Sequence, residues 1–497
     1  MHNRYSLVKL FCGLGILIAP AAIANTLTTV IPASERDLNQ LPPPQITVRT
    51  PKLLTLSDAI ILALRNNPSV HSSRFQRISD KYALELADYQ YEPQFTFSTN
   101  VTFTQGARTG YNVSPGMTWN TRYGTALSVT HVNTFDNTQE DQFSITQPLL
   151  RGFGSVNEIP WLNAQDNEVI AQISFKNSIM SMVTEVINNY RQVVQDYNNL
   201  TVQEKALARE QQTEKQYQLR VKAGKMAPSE LLQEQATLAN TRLSTVRQKN
   251  AAEQDYQTLL ETLGLSPNSK LKLDTKINFH AYQAPGKNKA VTIALNNNPQ
   301  FVTQKIQLNA TRRAVESAKD QLRWKLDLVG SADFNTSKGS IPVINSFQDL
   351  STTTEPTASV QLEIPIRDLT NKAQLIDAKI ALVQAQDALE QSRRSLIRQV
   401  VNSLSDLKSQ LDQLTIAEHG VELQQKNLAS EQIKQKYGQS TALNVNIIQD
   451  NLLQQEIDYV NSQISYLNSV TSFENLLGIT LDEWKVKLIY CSSCSGG

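Results

Sequence analysis

Between Val156 and Ala223 the chain contains no glycine, and its single proline there, Pro160, sits where a first helical turn would tolerate it. Apolar residues recur along this stretch at Val183, Val186, Tyr190, Val193, Tyr197, Leu200 and Leu207. Their spacing alternates three and four, which draws a narrow seam down one side of a helix. At 1.5 Å per residue such a helix spans on the order of 100 Å, against about 11 or 12 residues for an ordinary globular helix. It ends at Ala223-Gly224-Lys225, where glycine accepts the left-handed turn that closes a helix. A second helix is expected from about Pro228 to Leu263, ending at Gly264. The two form a long antiparallel hairpin, and its tip is the first place to look for function.

The 497 residues exceed what one ordinary core needs, yet glycine and proline are modest while Gln, Asn, Ser, Leu and Ala are plentiful. That suits long, wetted amphipathic helices. A formal net charge of +1 gives no electrostatic pull toward nucleic acid, so no nucleic-acid partner is expected. No P-loop, dinucleotide fingerprint or paired-cysteine zinc pattern occurs, and no cofactor is expected. Arg4 and Lys9, the apolar run Leu10 to Ala19, and Ala22-Ile23-Ala24 read as a signal peptide over residues 1–24. Cys12 lies inside that run without the flanking residues of a lipidation site. Residues 25–52, with Pro32, Pro42, Pro43, Pro44 and Pro51, read as an extended linker. Cys491 and Cys494 stand in a Ser/Gly tail over 481–497, where two thiols lack the further ligands of a structural zinc.

A short helix should begin at Thr55 or Ser57 and break at Asn66-Asn67-Pro68. Another should reach about Tyr91, stopped by Pro93. The period then falls to two. Phe95, Phe97, Thr99, Val101 and Phe103 alternate with polar neighbours, as do Tyr123, Thr125, Leu127 and Val129, and Phe143 and Ile145 lead to Pro148. Gly106, Gly110, Asn112, Pro115 and Gly116 read as turn and loop residues, although 105–140 has room for an additional hairpin.

The second half repeats the first. AIILALRNNPSV at Ala59–Val70 returns as AVTIALNNNPQF at Ala290–Phe301, and ETLGLS from Glu261 is answered by ENLLGIT from Glu474. A helix to about Arg323 precedes strands at Leu326, Leu328 and Phe334 and at Val360, Leu362 and Ile364, with Gly339, Pro342 and Pro356 in a polar loop. A second very long helix runs from about Thr370 to Tyr437, with Leu404, Leu407, Leu411 and Leu414 on one seam; Gly438 ends it, and a return helix reaches Leu477. The repeats are expected at 53–280 and 281–480.

Seams this narrow need partner helices, as in a coiled coil. Strands with one apolar face suit lipid, and lipid admits only a closed barrel without free edges. Two strands per half, four per chain, are too few to close around a lumen, so a homo-oligomer is favoured; three copies would supply twelve.

The repeated ALxNNP motifs, the QPLLRGFG junction at Gln147–Gly154, the hairpins turning at Gly224 and Gly438 and the two-fold order of elements together resemble the TolC family of outer-membrane efflux proteins. The resemblance covers roughly residues 53–480. It implies a mainly α fold with a membrane β-barrel portion, in which internally duplicated helical hairpins form an α-barrel and strands complete a trimeric outer-membrane β-barrel. It implies no enzyme but a passive exit duct in the cell outer membrane with a helical tunnel in the periplasm. The partners it implies are outer-membrane lipid, a periplasmic adaptor and an inner-membrane transporter, for multidrug efflux or type I secretion. The family's first-hairpin carboxylate falls on Glu230, six residues after Gly224. Where family members can carry an acidic ring, six and nine residues after the second tip glycine, this chain has Asn444 and Ile447. Asn444 and Asn446 would narrow a pore without charge, and Asp450 lies one turn beyond Asn446. Glu230 reads equally as a first-turn acid favoured by the helix dipole.

Enzymatic readings find no support, because His71, His131, His280 and His419 fall in different elements without metal-ligand spacing. The rival of a different class is a structural coiled-coil protein of the cell envelope without a pore. It leaves the two sets of strands unexplained.

Overall fold

The computed structural model describes residues 53–103, 110–134, 138–277, 279–337 and 354–486. The segments expected to be a signal and a linker, together with Cys12, Gly106, Gly339, Pro342, Cys491 and Cys494, lie outside the described residues.

Helix α1 (Leu56–Asn66) opens with Thr55, whose hydroxyl accepts from the Asp58 amide while Asp58 accepts from the Thr55 amide, a reciprocal cap. Asn67 separates it from α2 (Pro68–Tyr89) and caps the latter through the Ser69 amide at 2.7 Å. Strands β1 (Gln94–Thr102), β2 (Gly110–Asn120), β3 (Ala126–Thr134) and β4 (Thr138–Pro148) follow. A 3-10 turn, Gly154–Glu158, leads into α3 (Ile159–Lys222), which returns as α4 (Pro228–Thr262). The second half gives α5 (Lys287–Asn297), α6 (Pro299–Gln321), β5 (Lys325–Ser337), β6 (Thr354–Glu363), α7 (Leu369–Lys436), α8 (Ala442–Leu477) and a single turn, α9 (Thr480–Glu483).

The strands form one antiparallel sheet in chain order, β1 to β6. The expected count of two strands per half is corrected to four and two. Gly110, Asn112, Pro115 and Gly116 belong to β2 instead of a loop, and the turn holds Tyr123 in its place. Proline and glycine obscured a strand whose remaining residues alternate: Val113, Met117 and Trp119 on one side, Ser114 and Thr118 on the other. Pro356 likewise lies in β6, a strand at the edge of this sheet, where prolines of strands are usually found.

Register places the apolar residues on one face. Phe95 lies opposite Met117, Met117 opposite Val129, Val129 opposite Phe143, Phe143 opposite Ala332 and Ala332 opposite Pro356. The adjacent row holds Thr96, Gly116, Thr130, Gln142 and Asp333. The six strands of the described residues therefore share one mainly apolar face, which also carries the His131–Asp141 pair, and one polar face, and at 9–13 residues each is long enough to cross a bilayer. Amphipathic rings gather at the end of the sheet nearest the helices. Trp119 donates to the Tyr91 carbonyl at 2.9 Å, Trp161 donates to Asp88 at 2.6 Å, and the Arg122 guanidinium lies 4.1 Å from the Trp161 ring centre. Such rings mark the interface of a membrane. Among the described residues no helix is long and apolar enough to cross one.

Two apolar clusters lie where the short helices meet the long ones. Ala59, Ala63 and Val70 pack with Val183, Val186, Ile187 and Leu260; Ala290, Ala294 and Phe301 pack with Leu396, Val400, Phe473 and Leu477. Away from these clusters the long helices bury little but their mutual seams.

Candidate functional site

Both hairpins turn in the same way. Gly224 and Gly438 adopt φ of +65° and +75°, and the following amides, of Lys225 and Gln439, close back on the Arg220 and Lys434 carbonyls at 2.8 and 2.9 Å. In the second tip Ser440 donates to Glu431 at 2.5 Å and Lys434 donates to the same carboxylate at 3.0 Å. These two donors hold the Glu431 carboxyl below its ordinary range. Glu230 sits half-buried in the first turn of α4.

The four residues named on α8 divide between two sides. Asn444, Ile447 and Asp450 are exposed, whereas Asn446 is buried in the seam between the hairpins. Asn444 and Asn446, both expected near a constriction, differ in burial within one copy of the chain. Asn446 Nδ2 donates instead to Glu234 Oε2 on α4 at 2.7 Å.

That contact is one rung of a polar seam joining the first hairpin to the second. Arg191 of α3, itself buried, donates to the Leu467 carbonyl at 2.6 Å and the Thr471 hydroxyl at 2.8 Å. Gln195 donates to Asn461 at 2.7 Å, Arg209 pairs with Glu456 at 3.2 Å, and Gln435 of α7 donates to Tyr217 at 2.6 Å. Within the first hairpin Thr241 donates to Glu210 at 2.9 Å. Burial pushes the Glu210 carboxyl up to about 7 and raises that of Glu234. Glu210 and Glu234 went unremarked in the sequence, yet a signal existed. They occupy seam positions, with Glu210 seven residues before Tyr217 and Glu234 seven before Thr241, all four buried. Among the described residues no group of three His, Cys, Asp or Glu side chains is arranged to hold a metal ion.

Residues 290–479, covering α5 to α8, match the outer membrane efflux protein family. The outer membrane efflux protein BepC of Brucella suis biovar 1 (strain 1330) is 24% identical over 417 residues, 82% of each chain. Over residues 290–479 the chain thus resembles the outer membrane efflux protein family, and over most of its length it resembles BepC. The proteins it resembles are outer membrane efflux proteins, and that family is not enzymatic. Solved members share the architecture at low identity. A CusC structure superposes with a TM-score of 0.67 at 16% identity, covering 85% of this chain and 92% of that one. The open state of the MtrE outer membrane channel of Neisseria gonorrhoeae gives 0.64 at 15%, covering 86% and 89%.

Proposed function

We propose that this chain is the passive exit duct of a tripartite system, a homotrimer whose sheets close into one barrel in the outer membrane and whose hairpins form a tunnel across the periplasm. One observation carries the reading: among the described residues a sheet with a mainly apolar face ends on two strands, β1 and β6, whose outer edges have no partner strand. Backbone N–H and C=O groups at such edges have no partner in lipid, so β1 of one copy must meet β6 of the next. Three copies of a six-stranded sheet supply eighteen strands, and barrel diameter grows with strand number. Substrate reaches the tunnel from an inner-membrane transporter through a periplasmic adaptor that docks at the tips near Gly224 and Gly438.

Native mass spectrometry of detergent-solubilised protein should give three times the 55.5 kDa chain, less the mass of any removed leader. Planar bilayers should show discrete channel conductance. A stable, folded monomer in detergent would overturn closure between copies.

A further inference from the structure

The buried end of the seam is short of hydrogen-bond donors. Glu234 is fully buried, and Glu210 and Asn446 are 3% and 5% exposed. Each leaves one oxygen without a partner: Glu234 Oε1, Glu210 Oε2 and Asn446 Oδ1. A buried acceptor with no donor is costly, and two of these three belong to groups already joined by the 2.7 Å bond from Asn446 Nδ2 to Glu234 Oε2. A carboxylic acid facing a carboxamide forms two bonds, amide to acid and acid to amide. The second requires a hydrogen on the orphan carboxyl oxygen and an approach of that oxygen to the orphan amide oxygen. Among the described residues the charges that act on Glu234 are carboxylates, while the cations Arg209 and Arg220 lie beside Glu210 and Tyr217. From α3 the groups near Glu234 are Glu210, Glu214 and Tyr217, and Arg209 beside Glu210 is engaged by Glu456 of α8. Thr241 of α4 is spent on Glu210, α8 adds Asp450, and Gln435 of α7 is spent on Tyr217.

We propose that Glu234 is protonated in the closed tip and pairs with Asn446 through two hydrogen bonds, so that this acid–amide joint fastens the first hairpin to the second and releases it when the proton leaves. Loss of the proton leaves a buried carboxylate facing Glu210, Glu214 and Asp450, and separation of α4 from α8 lets water reach it. The closed tip binds a proton that an opened, hydrated Glu234 holds only at the ordinary glutamate range. Closure is therefore complete below that range and is lost as pH rises through the higher value of the closed state. The joint lies eight residues from Gly438 and ten from Gly224. Only the consequence for a tunnel mouth rests on the duct reading; the joint itself does not.

Hydrogen exchange of full-length protein in detergent tests the joint, read on residues 225–235 and 439–449 and corrected for intrinsic rates. Protection near pH 5 should exceed that near pH 8 by roughly tenfold. Glu234→Gln supplies an amide in place of the acid and should keep the acid-state protection at both values. Glu210→Gln should leave the response in place. If Glu234→Gln fails to assemble, Asn446→Leu serves, with low protection at both values. Unchanged wild-type protection, a pH response in these segments of Glu234→Gln as large as that of the wild type, or a response abolished by Glu210→Gln alone, overturns the proposal. Bilayer recordings of the same variants report separately on the tunnel: absent conductance with an intact exchange response would fault the duct and spare the joint.

Discussion

Asn67 donates its side-chain amide to the Thr262 carbonyl at 2.7 Å, across 195 residues of chain. The repeat copies this contact, with Asn298 donating to the Leu476 carbonyl at 3.0 Å. In each half the second asparagine of the NNP break thus caps the C-terminal carbonyls of the return helix while its oxygen caps the helix that follows. The neighbouring glycine admits the approach. A Cβ on Gly264 would stand 2.3 Å from the Asn66 carbonyl oxygen, and one on Gly478 would stand 2.4 Å from that of Asn297.

Gly264→Ala and Gly478→Ala should therefore destabilise far more than an exposed Gly→Ala change. Left-handed φ of +69° and +74° alone costs about 1–2 kcal/mol, and the clash is with backbone, which cannot swing away. Thermal unfolding of the solubilised oligomer measures this. Asn298→Ala should cost less, about 1 kcal/mol for a lost cap plus the exposed need of the Leu476 carbonyl. Equal effects of all three substitutions would show that the close approach is relieved elsewhere.

The sheet proposed to cross the outer membrane yields a second pair of outcomes. Val129 stands in the apolar row of β3 and its neighbour Thr130 in the polar row. An arginine on a lipid face costs about 2–4 kcal/mol near the bilayer midplane, whereas lumen positions accept charge. Val129→Arg should reduce heat-modifiable oligomer in the outer membrane, and Thr130→Arg should leave assembly intact while altering ion selectivity. Equal tolerance of both would remove β2 and β3 from the lipid-crossing sheet.

The helical plan was legible because period and punctuation agree. A seam alternating three and four with no glycine before Gly224 leaves little but a long helix, and the structure ends α3 at Lys222. The strand count was not legible. Period two reads clearly at Phe95 to Phe103, but in β2 the pair Pro115-Gly116 carries the local signature of a turn. Pro115 pairs with β1 alone and Gly116 with both β1 and β3, and only this pairing and that of the flanking residues override the signature. The tip glycines were legible because their conformation is local. The partner of Asn446 was not, because Glu234 lies 212 residues away and nothing short-range links them.

Buried carboxyls at the seam give a pH dependence of stability. Glu474 of α8 is pushed up to about 7, chiefly by burial and then by Glu483, with Arg191 opposing. A carboxyl raised in the folded state binds its proton more tightly there than in the unfolded chain. Stability is thus greatest below the ordinary glutamate value of 4.5, falls as pH rises, and levels above about 7. Glu210 and Asp196, raised to about 7 and about 6 by burial, act in the same direction. The thermal midpoint should fall between pH 5 and pH 8, by an amount that corresponds to at most about 3 kcal/mol for Glu474 alone. Glu474→Gln should flatten part of the slope. A midpoint that rises over this window would reverse the assigned sign.

Asn444 decides the last outcome. It is exposed on the first turn of α8, its amide capped by the Thr441 hydroxyl at 3.3 Å, and Ile447 lies exposed three residues on. If this face lines the tunnel mouth of a trimer, a ring of asparagines presents dipoles without net charge, and divalent cations should block weakly. Asn444→Asp places three carboxylates at one level, where a narrow, poorly screened pore makes their attraction for a multivalent cation strong. The substitution also sets an acid near a helix N-terminus, which favours folding of the variant. Single-channel recording should show a new, voltage-dependent block by divalent or trivalent cations added from the periplasmic side. Should the wild type already be blocked at low cation concentration, with Asn444→Asp unchanged, the constriction lies at another level. Asp450, exposed six residues further along α8, would then be the next carboxylate to neutralise, and Glu230 on α4 the one after it.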